Sequence, residues 1–113
     1  MDKLTEYRSL LKQLLHEYQR LYNLQPTPDV ETFVVFDGEH DHYLLMSLGW
    51  AEDRRVRRTV LHVRLRNGKF WIEEDWTENG IATELLRFAV PKDDIVLAFQ
   101  PPERRPLTEF AVA

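Results

Sequence analysis

Asn67-Gly68 is the residue pair that most narrows what this chain can fold into. Both residues tolerate positive φ, so between two apolar-alternating runs they specify a two-residue hairpin turn. The runs are 55–66 and 69–74. A two-residue loop pairs Arg66 with Lys69, Leu65 with Phe70, Arg64 with Trp71, Val63 with Ile72 and His62 with Glu73. Strand side chains alternate, so this register sorts the faces. Leu61, Val63, Leu65, Phe70 and Ile72 point inward; His62, Arg64, Arg66, Lys69, Trp71 and Glu73 point outward.

Something must cover the inward face, and residues 3–22 are suited to it. Leu4, Tyr7, Leu11, Leu14, Tyr18 and Leu21 recur at three- and four-residue steps, and Leu10, Leu15 and Tyr22 widen the apolar stripe. Asp2 caps the start of this helix, and Glu6 sits near the positive end of its dipole. A stripe this broad predicts packing on a sheet, with self-association as the alternative use. Prolines in Gln25-Pro26-Thr27-Pro28-Asp29 end the helix. A first hairpin follows, with strands at 30–36 and 42–48 around the loop Asp37-Gly38-Glu39-His40-Asp41. Gly49, at the end of the second strand, allows a bulge or a close approach.

Beyond the Asn-Gly hairpin, residues 79–89 form a shorter helix capped by Thr77 or Asn79, with Ile81, Leu85 and Phe88 on one side. Pro91-Lys92-Asp93-Asp94 makes a turn, and the apolar run 95–99 reads as a buried strand. The tail carries prolines, then regains Phe110, Ala111 and Val112, so it lies against the body or a neighbouring subunit. The expected architecture is α+β: one domain over 1–113, a long N-terminal helix on an antiparallel sheet of hairpins, a second short helix and a final strand.

Composition sets bounds on function. A chain of 113 residues that is 43% hydrophobic supports one core. No apolar run approaches the roughly 18 residues of a membrane span, and charges interrupt the first leucines too early for a signal peptide. The expectation is a cytoplasmic protein with no membrane association. With no cysteine, disulfides, thiolate metal sites and a cysteine nucleophile are excluded. Fifteen basic against nineteen acidic residues give −4, which predicts weak, non-selective DNA binding.

Three clusters have chemical potential. His40 and His42 share a face if extended and are candidate metal ligands, but a complete ligand set is missing, so no metal and no cofactor are expected. His62 opposite Glu73 suits a general acid or base, or simply a cross-strand ion pair. Arginines 54, 55, 57, 58, 64 and 66 surround Trp50 and Trp71, interleaved with acids. Trp and Arg are the residue types of interface hot spots, so this outer face is better read as a protein-binding surface. The predicted interface comprises Arg64, Arg66 and Trp71 on the sheet with Arg104, Arg105 and Phe110 from the tail. The same patch would serve a homo-oligomer. An enzyme is not expected.

Met1-Asp2-Lys3-Leu4, Glu39-His40-Asp41-His42-Tyr43, Gly49-Trp50, Asn67-Gly68-Lys69-Phe70-Trp71-Ile72, Val90-Pro91-Lys92-Asp93-Asp94-Ile95-Val96-Leu97-Ala98-Phe99, Pro101-Pro102 and Thr108-Glu109-Phe110-Ala111 occur in that order. Together they resemble the XisI family, the fdxN-element excision controlling factors of filamentous cyanobacteria, over essentially the whole chain. The resemblance implies an accessory regulatory role beside a nuclease-fold companion, XisH, during programmed excision of a DNA element by a site-specific recombinase. Other readings are an antidote-like partner that restrains a nuclease-fold protein, and a small metal-dependent hydrolase.

Overall fold

The computed structural model describes residues 2–24 and 29–113. The expected proline break at 25–28 lies outside the described residues. Helix α1, Lys3–Leu24, is followed by strands β1 (Val30–Asp37), β2 (His42–Ala51), β3 (Arg54–Arg66) and β4 (Lys69–Asp75). Helix α2 (Ile81–Arg87) and strand β5 (Ile95–Leu97) complete the regular elements, and a 3-10 segment, Pro102–Leu107, lies in the tail. Asp2 caps α1 as expected, its Oδ1 accepting from the Thr5 amide at 2.8 Å.

The strands form one sheet in the order β1-β2-β3-β4-β5. Consecutive neighbours from β1 to β4 are antiparallel. β5 instead joins β4 in parallel, because α2 carries the chain back across before it re-enters the sheet. The Asn67-Gly68 turn forms with both residues at positive φ, 54° and 74°. Arg66↔Lys69 through Val63↔Ile72 pair as the two-residue loop dictates.

The inner face carries the core. Leu11, Leu14 and Leu15 of α1 bury against Tyr43, Leu45, Leu61, Val63, Leu65, Phe70 and Ile72, with Ile81 and Leu85 of α2 closing one side. This is the inward set read from the hairpin register, and the helix stripe docks on it. Tyr7 stacks on Phe70 with ring centroids 4.5 Å apart, and its hydroxyl donates to Asp94 at 2.6 Å. Arg8 forks onto Asp41 at 2.8 and 2.9 Å. These two contacts fix the helix across the sheet.

Other details depart from the sequence reading. α2 is shorter than expected and is capped neither by Thr77 nor by Asn79. Asp75, at the end of β4, accepts from the Ile81 amide at 2.7 Å and the Thr77 amide at 2.8 Å. Phe88 lies past the helix end, beside Ala89 at φ 64°, and is turned outward with 48% exposure. β5 stops at Leu97 because the Gln100 amide turns back to the Leu97 carbonyl ahead of Pro101. Gly49 serves a close approach: a Cβ there would collide with the Asp29 carbonyl, which accepts from the Trp50 amide at 2.9 Å. Among the described residues, no helix is long and apolar enough to cross a membrane.

Candidate protein-binding surface

The outer face divides into two halves. Over β4 the tail provides a cover, and at the free edge of β5 it extends the sheet. Ala111 forms a parallel bridge to Val96, its amide donating to the Ile95 carbonyl at 2.8 Å. Val96 is fully buried, and Trp71 beside it is only 8% exposed.

This corrects the expectation of an exposed tryptophan at the centre of the predicted interface. The Trp71 indole N–H donates to the Arg66 carbonyl at 3.0 Å. The Arg66 and Arg105 guanidinium groups sit over its ring at 5.3 and 5.6 Å. Arg105 is itself fixed by donating to the Gln100 and Ala98 carbonyls at 3.1 and 3.3 Å. Trp71 is therefore a buried platform for the tail; sequence alternation alone cannot reveal such a cover. Phe110 is half-buried against the main core, while Arg66 and Arg104 remain exposed. Arg64 approaches Glu73 at 3.8 Å, and its Nε is buried without a partner.

The predicted His62–Glu73 pair does not form. A bulge between His62 and Val63 places Glu74 opposite His62. A simple two-residue-turn register has no means of announcing that extra residue. His62 Nε2 instead meets His42 Nδ1 at 3.0 Å, across β2 and β3. Burial, followed by the charge of His42, holds the His62 pKa below its ordinary value. His40 is drawn away from His42 by Asp37, whose Oδ2 lies 2.9 Å from His40 Nδ1. The two candidate metal ligands thus have different partners. Among the described residues, no three His, Cys, Asp or Glu side chains gather as a metal-binding set.

The other half of the outer face, over β1, β2 and β3, was not singled out from the sequence. Outward positions of β2 are Leu44, Met46, Leu48 and Trp50, while its inward positions Tyr43, Leu45 and Ser47 are buried. This strand is largely apolar on both faces, a pattern expected where both faces are covered. Phe33 and Val35 of β1 extend the patch, which forms an open groove of about 510 Å³ edged by Arg55 and Arg57. Val35 is 43% and Trp50 50% exposed. The legible signal was the unbroken run Tyr43-Leu44-Leu45-Met46, which lacks polar alternation.

The edge of β1 is occupied in its middle by α1. Gln19 Oε1 accepts from the Val34 amide at 2.8 Å, and Asn23 Nδ2 donates to the Thr32 carbonyl at 3.1 Å. These helical side chains, four residues apart, occupy two of the backbone groups that would otherwise pair with an added strand.

A family model described as XisI protein matches residues 1–112. The fold is similar to the crystal structure of a XisI-like protein from Anabaena variabilis, with a TM-score of 0.90 and 36% identity over 97% of this chain and 99% of that one. It is also similar to the fdxN element excision controlling factor XisI from Anabaena variabilis, with a TM-score of 0.85 and 40% identity over 99% of this chain and 100% of that one. No curated protein matches the chain.

Proposed function

The chain belongs to the XisI family, and from that premise we propose that it is an accessory controlling factor in programmed excision of a DNA element. On this reading it works by protein contact and supplies no strand cleavage of its own. The observation that carries the reading is the 40% identity, across the full length of both chains, to a protein described as an fdxN element excision controlling factor. The companion is an XisH-like nuclease-fold protein, and the chain works in the cytoplasm. Its contact surface is the tail side of the molecule. Arg66, Arg104 and Leu107 are exposed and Arg105 is seated on Trp71, while Phe110 packs against the main core.

A second reading, restraint of a nuclease-fold partner, is favoured by the net charge of −4, which suits contact with a basic active surface. A tagged copy isolated from native cells should carry a nuclease-fold protein with it, and deletion of the gene should change the excision frequency. Unchanged excision after deletion, or DNA cleavage by the purified chain alone, would overturn the proposal. Nuclease activity that rises when the chain is removed would select the second reading.

A further inference from the structure

We infer that the bare outer face of β1–β3 is the seat of a second copy of this chain, packed face to face about a two-fold axis along β2. An exposed apolar patch marks a contact surface, and the charges beside it point to the occupant. Glu31, Leu48 and Arg57 lie in one row across the three strands, as do Asp37, His42 and Arg64. Between them runs the row Phe33, Met46 and Thr59. At one end of the apolar centre an exposed acid, Glu31, stands on β1 and an exposed base, Arg57, on β3, whereas at the other end Asp37 is held by His40 and Arg64 faces Glu73.

A two-fold axis in the interface, parallel to β2, lays β1 of one copy over β3 of the other. That operation places each Glu31 over the second copy's Arg57. Met46 meets its own counterpart near the axis. A closed two-fold interface requires one patch to complement itself, and this patch does so through Glu31 and Arg57, which meet once on each side of the axis. Aligned sheet packing across about 10 Å suits the apolar middle. Strand addition at β1 is a poorer alternative, because Gln19 and Asn23 already occupy backbone groups on that edge.

Sedimentation analysis of the full chain tests the assignment. The wild type should be a dimer at micromolar concentration. Met46→Glu sets two carboxylates against each other and should weaken association by about a hundredfold or more. Glu31→Arg and Arg57→Glu should each weaken it by about tenfold, and the double variant should recover most of the loss. The swapped residues are exposed, so these variants fold whether or not Met46→Glu does. A monomeric wild type overturns the inference, as does a double variant no better than its parents. A monomer that loses its companion through Met46→Glu would assign the face to that companion and likewise refute the dimer.

Discussion

The two halves of the outer sheet face solve one problem in different ways. Over β4 the chain covers its own outward tryptophan, with the Arg66 and Arg105 guanidinium groups over Trp71, and at the free edge of β5 Ala111 extends the sheet beside Val96. Over β1–β3, Leu44, Met46 and Leu48 border an open groove. Apolar area is stabilising only when removed from water. The covered half therefore contributes to folding, while the apolar side chains of the bare half stay in contact with water in the single chain. Outward-pointing residues on one sheet thus have opposite roles, set by where the tail returns.

The strongest way to break this comparison is to empty the covered half. Trp71→Ala should cost about 3–5 kcal/mol in urea denaturation, the range for truncating a buried aromatic. Val35→Thr on the bare half should stay within about 0.5 kcal/mol, as exposed substitutions usually do. Both are best measured in a Met46→Glu background, so that association adds nothing to apparent stability. Similar losses at the two positions would mean that the halves are covered alike.

Removing residues 107–113 sharpens the comparison. The truncation bares the outer edge of β5 and removes the Phe110 contact and the Ala111–Ile95 hydrogen bond, yet Arg105 still lies over Trp71. A loss of about 2 kcal/mol is expected, smaller than for Trp71→Ala. Hydrogen exchange should accelerate across β5 and leave β1 and β2 unchanged. Equal acceleration in β1 would show that the tail supports the whole sheet.

The inner face was legible because local signals agreed. Asn67-Gly68 fixed the register, alternation chose the inward residues, and the helix stripe from Leu4 to Leu21 had one surface wide enough to meet. Features set by distant chain segments were hidden. Trp71 reads as exposed from its strand position, and only the returning tail buries it. The bulge beside His62 left no mark in its own strand, so Glu73 was assigned as its partner in place of His42. Asp75 caps α2 from six residues before the first helical amide, beyond the local pattern that pointed to Thr77 or Asn79. The bare patch was visible as an apolar run in β2, but arginines drew attention to the other half.

The smallest expected effect lies at the boundary between the halves, where His42 and His62 meet at 3.0 Å. Burial, then the charge of His42, lowers the folded-state pKa of His62 from its ordinary 6.5, with Arg64 acting in the same direction and Glu73 and Glu74 opposing. The folded state therefore binds this proton less readily than the unfolded state does. As pH falls through about 6.5, the unfolded chain takes up the proton first and stability declines. The decline levels off once pH passes below the folded pKa, where both states are protonated. Above 6.5 the group is neutral in both states and its stabilising contribution is fully present. Urea midpoints at pH 7.5 and 5.0 should fall in the wild type and fall less in His62→Gln, which keeps a polar side chain but cannot titrate. The difference should persist in the Met46→Glu background, because the pair lies within one chain. Equal slopes in the two proteins would show that the carboxylates govern this pH window and that the histidine pair does not.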